Sequence, residues 1–347
     1  MTHAHQRVCG LALGALGGLF AAAAPASAAE DFYAGKQITF IASNTGSYEA
    51  YCRYLAKHMP KYIPGNPRAI SQIMTGASGL AAANYIYNGA PRDGTAFTIT
   101  QGQVPFSPMT NPDSARFDST KFTWIGSATK DTFIGYMWHE AKVKTLEDTK
   151  KIESLVGGQA VGSMSINMAI LGRAMFDMKF KIITGYGGSA ETKFAVEKRE
   201  LDGHFGTDIN SVRASNPDWF TQKKINIITQ FGFTRSSEIP EVPLFLDQSK
   251  TPADRQLLEA LLSGSEIGKP LYGPPDIPPD RVAIIREAFN KTVQDPAFIT
   301  DLGKEGFPVH DPIDGQTALA LVTRVMATPP DVIKRTNTMF EDFRRQQ

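Results

Sequence analysis

Cysteine is scarce in this chain, since its 347 residues include only two, Cys9 and Cys52. Cys9 lies in an N-terminal segment that we expect to be removed, which would leave a single thiol. One thiol cannot form an internal disulfide, so the sequence excludes a disulfide-stapled scaffold. Cys52 lies in an apolar helical run, where a small core side chain is the commoner role.

An excess of charge of either sign is also absent. The chain has 36 Lys and Arg residues against 35 Asp and Glu residues, and loss of Arg7 with the N-terminal segment makes the counts equal. This balance argues against a nucleic-acid partner and against a polybasic membrane patch. The histidines outside that segment show no metal-ligand spacing, so we predict no metal site; they are His58, His139, His204 and His310.

Catalytic motifs are missing as well. The sequence has no GxSxG nucleophile elbow, no GxxxxGK[ST] phosphate loop, no HExxH and no CxxC. The stretch "GYGGSA" lacks the spacing of a dinucleotide-binding GxGxxG. We therefore predict a protein that is not an enzyme and that carries no cofactor.

No apolar run is long enough to span a membrane, which takes about 20 residues. The run "LALGALGGLFAAAA" is shorter, follows a weakly basic start, and precedes the small-residue pattern Ala26-Ser27-Ala28. This arrangement is typical of a signal peptide. We predict that residues 1–28 are cleaved after Ala28 and that the mature chain is exported to the periplasm.

What the sequence does contain is an alternation of strand-like and helix-like segments, typical of a parallel sheet flanked by helices. The extended stretch "TWIGSATKDTFIGYMW" at 123–138 is a plausible crossing between two lobes, and "INIITQFG" at 225–232 is a plausible return strand. We predict a first lobe from 29–126, a second lobe from 127–231, and a return to the first lobe with C-terminal helices over 232–347. Clefts between domains are common ligand sites.

Four turns share one design, in which a strand is followed by Gly, Ser or Thr and then by a helix. They are "SNTGS" (43–47), "TGASG" (75–79), "GSMS" (162–165) and "GYGGS" (185–189). Each leaves backbone N–H groups and the positive end of a helix dipole at the carboxyl end of a strand. Two turns from each lobe could therefore face one another and bind carboxylates.

With these segments in place, the chain resembles the Bug family, the periplasmic solute receptors of tripartite tricarboxylate transporters. The resemblance runs from "FYAGKQITFIAS" to "GFPVHDPIDG", and its most telling stretches are "YIPGNP", "TGASGLAAANYIYNGAPRDGT", "GYGGSAETKFAVEKRELDGHF" and "GPPDIPPDRVAIIREAFNKTVQDPAF". It implies an α/β, two-lobed type II periplasmic binding protein fold with a ligand cleft between the lobes. It also implies that two loops bind ligand carboxylates, mainly through backbone groups and water.

The turns and the resemblance together give the predicted ligand-binding residues. They are Asn44, Thr45, Gly46, Ser47, Tyr48, Glu49, Gly76, Ala77, Ser78, Gln103, Ser163, Met164, Ser165, Tyr186, Gly187, Gly188 and Asp208. Ser47 stands where the family commonly has Gly, and Glu49 where it commonly has Asp. A cleft-facing Glu49 would repel an anion and could instead bind an amino group or water.

The predicted function is capture of a small organic carboxylate and its delivery, by a monomeric receptor, to the permease subunits of a tripartite tricarboxylate-type transporter. One alternative is a secreted enzyme, with Glu49 or Asp208 as general base and Tyr48 as its partner. Another is a receptor that signals to a sensor protein. The sequence leaves dicarboxylates, tricarboxylates, aromatic acids, amino acids and nicotinate-like acids open as ligands.

Overall fold

The computed structural model of the protein describes residues 1–2, 32–110 and 112–347. The predicted signal peptide, its cleavage after Ala28 and Cys9 lie outside this part of the chain, apart from residues 1–2. Within the described residues, no helix combines the length and the apolar character that crossing a membrane requires.

Two separate β-sheets organise the fold. The first has the strand order β11-β4-β10-β3-β1-β2, and the second has the order β7-β6-β8-β5-β9. The strands are β1 Gln37–Ala42, β2 Arg68–Ile73, β3 Ala96–Ile99, β4 Thr123–Ser127, β5 Phe133–Trp138, β6 Ser154–Gly157, β7 Phe180–Ile183, β8 Gly203–Asp208, β9 Ile225–Phe231, β10 Pro270–Gly273 and β11 Ile313–Asp314.

Helices follow most of the strands, as the sequence alternation predicts. They are α1 Ser47–His58, α2 Leu80–Asn88, α3 Ser107–Thr110, α4 Met164–Phe176, α5 Ser189–Glu197, α6 Ile209–Ser215, α7 Asp218–Thr221, α8 Pro252–Glu266, α9 Pro279–Val293, α10 Pro296–Lys304, α11 Gly315–Met326 and α12 Pro330–Arg345. Short 3₁₀ turns occur between some of them.

The segment 128–132 connects the two sheets. The predicted single extended stretch over 123–138 is two strands, since β4 pairs with β10 and β11 in the first sheet, whereas β5 pairs with β8 and β9 in the second. After β9 the chain passes through α8 and rejoins the first sheet at β10. Any cleft between the two sheets would therefore be bordered by the five residues that connect β4 and β5.

Each sheet has its own apolar core. Phe40, Phe97 and Phe289 are fully buried around the first sheet, while Phe205 and Phe245 are fully buried around the second. Helices α8 and α12, which lie in the 232–347 segment, contribute Leu258, Leu262 and Phe340, among others, to the second of these cores. The chain limits of the two lobes remain a prediction.

The local sequence accounts for α1, the helix nearest the site. Ala50, Tyr51, Cys52 and Leu55 are buried on one face, which confirms the expected core role of Cys52. The helix begins directly after Gly46, whose φ of 72° is a backbone conformation that glycine adopts without a steric penalty. The turn from β1 into α1 therefore needs this glycine.

Gly102 lies in the loop after β3, which packs against the C-terminal end of α8. A Cβ at this position would lie 1.9 Å from the carbonyl oxygen of Gly264 and 2.7 Å from that of Ile267. Because both contacts are backbone, we expect Gly102→Ala to lower the free energy of unfolding by about 3 kcal/mol. Gly303→Ala in α10 is the matched control, since nothing lies within 4 Å of its added Cβ. The control should be neutral or stabilising by up to about 1 kcal/mol; equal effects in urea unfolding would contradict this packing.

Candidate functional site

A cavity of about 370 Å³ lies between the two sheets. It is bounded by the start of α1, by the connecting segment, by the start of α6, by the residue before β10, and by the loop after α10. Its lining residues are Ser47, Tyr48, Tyr51, Thr129, Asp131, Phe133, Asp208, Asn210, Ser211, Ala214, Lys269, Glu305, Gly306, Phe307 and Pro308. We call it the polar cleft.

A second cavity, of about 210 Å³, adjoins the polar cleft on the side of the second sheet. The two share Phe133, Asp208 and Ser211 as lining residues. The second cavity is also lined by Gln159, Ser163, Met164, Ser165, Ser189, Thr192, His204, Gly206 and Thr207. We call it the serine pocket. The two cavities together are large enough for a small organic molecule.

The positive ends of two helices point their N–H groups toward this space. Neither α1, which starts after Gly46, nor α4, which starts after Ser163, has a side-chain cap at its N-terminus. The Ser163 hydroxyl instead donates to the carbonyl of Ala160 at 2.8 Å. Uncapped N-termini of 12- and 13-residue helices present N–H donors and a favourable dipole to an anion.

Lys269 is the buried cation of the polar cleft. Its ammonium lies 2.8 Å from the Asp131 carboxylate and 4.8 Å from the centre of the Tyr48 ring. Burial by itself would lower the pKa of Lys269, but the Asp131 charge and the two tyrosines outweigh burial and raise that pKa. Lys269 is therefore charged at neutral pH, and the cleft holds a positive group matched by one carboxylate.

Asp208 is a further ionisable group of the polar cleft, and it also lines the serine pocket. Its Oδ1 accepts a hydrogen bond from the backbone N–H of Ser211 at 2.7 Å and so caps α6. Burial, and then the negative charge of Asp131, raise the pKa of Asp208 to about 6. Below about pH 6 this carboxyl is therefore mainly protonated and can act as a hydrogen-bond donor.

His204 lies deeper in the serine pocket, on β8. It is 3% exposed, and its Nδ1 has no hydrogen-bond partner among the described residues. Burial, and the positive charge of Lys193, lower the pKa of His204 to about 3. The imidazole is therefore neutral, and it adds polarity to this pocket without adding charge.

The loop after α10 covers one side of the polar cleft. Glu305 is tied to α1 by an ion pair with Arg53 at 2.9 Å and by a hydrogen bond from the Tyr54 hydroxyl at 2.6 Å. The Tyr51 hydroxyl donates to the carbonyl of Pro308. Glu305 therefore has cationic and hydroxyl partners of its own and is not the main charge facing the cavity.

The same loop also bridges the two sheets. His310 contacts the Glu238 carboxylate, which accepts a hydrogen bond from Arg213 of α6 at 2.5 Å. Glu238 belongs to the segment after β9. This segment is held against the second sheet by the Gln230 side chain of β9, which donates a hydrogen bond to the carbonyl of Val242 at 2.7 Å. The loop thus links both lobes beside the polar cleft.

The structure places seven of the predicted site residues on the cavities. Ser47, Tyr48 and Asp208 line the polar cleft, and Ser163, Met164, Ser165 and Asp208 line the serine pocket. Gln103 lines a third cavity together with Met164. Their roles in binding remain predictions, but sequences far apart in the chain do converge here.

Other predicted residues lie away from these cavities. Asn44, Thr45 and Gly46 are exposed in the turn before α1, and the Glu49 carboxylate pairs with Arg53 at 3.1 Å rather than lining the cleft. Gly76, Ala77, Tyr186, Gly187 and Gly188 do not line the cavities described above, and Ser78 is described only through its backbone. The Gly187 N–H donates to Glu191 at 2.7 Å and is thus already paired.

The order of the strands in each sheet explains why some of the predicted turns reach the cavities and others do not. The turns at 75–79 and 185–189 follow β2 and β7, which are edge strands of their sheets. Apart from Ser189 at the end of the second of these turns, which lines the serine pocket, the turns that reach the cavities follow β1, β6 and β8, which are interior strands. A turn after an interior strand lies near the middle of the sheet's carboxyl edge, where ligands of open α/β sheets bind.

Sequence reasoning missed Lys269 and Asp131, which lie 138 positions apart in the chain. Lys269 is the only charged residue in the run from Ile267 to Gly273, and this isolation was the available signal. Asp131 falls inside the predicted crossing, so its place near the cleft was also inferable. Within the described residues, no cluster of three or more His, Cys, Asp or Glu side chains could hold a metal ion.

The sequence matches no protein-family description and no curated protein closely enough to identify a relative. Solved structures do resemble the fold. A TctC solute binding protein from Polaromonas, without ligand, has a TM-score of 0.70 and 18% identity over 87% of this chain and 99% of that one. MatC from Rhodopseudomonas palustris, with bound malate, has a TM-score of 0.56 and 17% identity over 86% and 99%.

A further R. palustris protein, Rpa4515 with adipate, has a TM-score of 0.57 and 16% identity over 87% of this chain and 97% of that one. At such identities the likeness establishes the fold. The predicted α/β, two-lobed fold of the periplasmic binding protein kind is confirmed.

Proposed function

We propose that this protein is an extracytoplasmic solute receptor, which captures a small organic carboxylate between its two lobes and delivers it to a tripartite tricarboxylate-type transporter. The observation that carries the proposal is the polar cleft. There the uncapped N-terminus of α1, the buried Lys269 cation and the start of α6 border one cavity between two sheets. Backbone N–H groups and a cation are the partners that a carboxylate requires.

In this proposal the ligand binds the first lobe at Ser47 and Lys269, and the second lobe adds contacts from Ser163–Ser165 and Asp208. Closure is favoured only by the difference in ligand affinity between the closed and open forms. The loop that carries Glu305 and His310 contacts both lobes, so it would move with closure. The fold likeness to proteins solved with malate and with adipate supports a carboxylate as ligand.

Transport also requires an exported receptor, which we propose to act as a monomer in the periplasm after cleavage of residues 1–28. The presence of permease subunits as partners belongs to the same proposal. N-terminal sequencing of the intact exported chain would test the cleavage, with Ala29 expected as the first residue.

An enzyme is the second candidate, because a carboxyl with a pKa of about 6, as Asp208 has, suits a general base near neutral pH. The two candidates differ in turnover. A receptor returns its ligand unchanged after prolonged incubation, whereas an enzyme converts it, and NMR of the ligand distinguishes the two.

A thermal-shift screen against carboxylates, amino acids and sugars tests the receptor function. A ligand present at a hundred times its Kd stabilises the native state by about 2.7 kcal/mol. We expect one group of carboxylates to raise the Tm of the mature protein. A response to sugars or amines alone would contradict the proposal.

A pair of variants localises the binding. Ser47→Glu places a negative charge in the polar cleft and adds a second acidic residue, next to Glu49, in the first turn of α1, where the helix dipole favours negative charge. We expect this variant to retain its Tm without ligand and to lose the ligand-induced shift. Ala253→Glu, in the exposed first turn of α8, is the matched control and should keep the shift. Equal shifts in both variants would place binding elsewhere.

A further inference from the structure

A third cavity, of about 460 Å³, lies beside the serine pocket. It is formed by the loop after β3 on the side of the first sheet and by α4, α8 and α12 on the side of the second. Its volume exceeds that of either polar cavity. We call it the apolar chamber.

Apolar side chains form the inner wall of this chamber. Phe106, Met168, Ala260 and Phe340 are buried, and Ile333 of α12 is half-buried on the same wall. These residues come from four different elements, so the wall does not result from one hydrophobic helix face. A concave apolar surface on this scale is a ligand-binding feature more often than a chance gap.

The polar residues of the chamber lie mainly at its rim. Two others, Ser107 and Asn167, are half-buried, and the Asn167 side-chain oxygen already accepts a hydrogen bond from the Gly162 N–H at 2.9 Å. Gln103, Asn337 and Arg344 are exposed, whereas the interior offers mainly aromatic and aliphatic carbon. The buried Thr336 hydroxyl does not change this, because it donates to the carbonyl of Val332 at 3.1 Å. An occupant would therefore find few hydrogen-bond partners inside.

The chamber adjoins the polar site. Met164 lines both the chamber and the serine pocket, and Phe133 lines these two cavities and the polar cleft as well. A molecule with its carboxylate at Lys269 or at the helix N-termini could thus extend past Phe133 and Met164. Its distal part would then contact carbon rather than water.

We infer that the ligand is a carboxylic acid with an extended apolar body, such as a medium-chain aliphatic or arylalkyl acid, whose body occupies the apolar chamber. This inference rests on the proposed function, because it assumes that the carboxylate binds in the polar cleft. It narrows the ligand class by excluding small, wholly polar acids as the best ligands.

Titration calorimetry of the mature protein with straight-chain acids from butyrate to octanoate tests the inference. Transfer of a methylene from water to an apolar site is expected to lower Kd about fourfold for each added group. A Kd that stays constant or rises with chain length overturns the inference but not the proposed function. If no acid of any length or polarity binds, the proposed function fails, and the inference that rests on it fails as well.

Two variants of the chamber and one control locate the effect. Ile333→Asn should weaken octanoate binding about tenfold and leave butyrate binding unchanged, because only the longer body reaches α12. Leu261→Trp, which fills the chamber instead of making it polar, should act in the same way. Ile299→Asn is the matched control on the exposed face of α10 and should change neither Kd. Equal losses for butyrate and octanoate in both chamber variants would overturn the inference.

Discussion

Lys269→Met is expected to weaken carboxylate binding by about a hundredfold and also to destabilise the fold, because the substitution removes the buried cation of the polar cleft. It leaves the Asp131 carboxylate without its partner at 2.8 Å. Breaking a buried ion pair from one side commonly costs about 3–5 kcal/mol. The lower end applies here, since the Asp131 side chain is still 19% exposed. We expect the Tm to fall by about 5–10 °C.

The double variant Lys269→Met/Asp131→Asn separates the two effects. It removes both charges and leaves a thioether of similar length beside Tyr48 and Tyr51, which aromatic rings accept well. We expect it to recover most of the lost stability without recovering binding, as measured by thermal unfolding and calorimetry. A double variant that binds as tightly as the original protein would show that Lys269 only neutralises Asp131 and does not contact the ligand.

Ligand affinity is expected to depend on pH through Asp208. Its pKa of about 6, against an ordinary value of 3.8, means that the carboxyl is protonated in the native state at pH 5 and charged at pH 7.5. The charged form repels a carboxylate ligand, whereas the protonated form can donate a hydrogen bond to it. We expect Kd to rise as the pH rises through about 6, by at most about tenfold per pH unit.

The stability of the protein without ligand should depend on pH in the same direction as its affinity for the ligand. Because the native state holds this proton more tightly than the unfolded chain, stability due to Asp208 is present below about pH 4 and is lost as the pH rises through about 6. The full effect is on the order of 3 kcal/mol. It adds to the contributions of other carboxyls, so the difference between variants is the quantity to measure.

Asp208→Asn isolates the group, because Asn caps a helix about as well as Asp and α6 should keep its start. The variant should bind equally at pH 5.5 and pH 7.5 and more tightly than the original protein at pH 7.5. Asp314→Asn is the matched control, since Asp314 caps α11 by accepting from the Thr317 N–H at 2.8 Å. An unchanged pH profile in Asp208→Asn would remove Asp208 from the site.

Much of the local structure was predictable from short stretches. The strand β1, the glycine turn and α1 follow from an alternating apolar run, from Gly46 and from the buried stripe through Tyr51 and Leu55. The crossing between the two sheets was visible as an extended stretch over 123–138. The break between β4 and β5 was not, because a strand that changes sheets can look continuous in sequence.

The site was predictable only in part. All four turns have the sequence of an anion-binding turn, yet those at 75–79 and 185–189 follow edge strands, and only Ser189 of these two turns lines a cavity. Strand order within a sheet depends on which strands pack side by side, and one sequence does not state it. The orientation of Glu49 toward Arg53 was hidden for a similar reason, since either face of the first turn was possible.

By itself, then, the sequence determined the alternation of elements, the lack of disulfides and of catalytic motifs, and the turns that start α1 and α4. Only the tertiary structure decided which turns meet, that Lys269 pairs with Asp131, and that an apolar chamber adjoins the polar cleft. The physical reason is the distance along the chain between the residues on which each feature depends. Helix starts and turns depend on residues a few positions apart, whereas a buried ion pair and a cavity wall depend on side chains that long-range packing brings together.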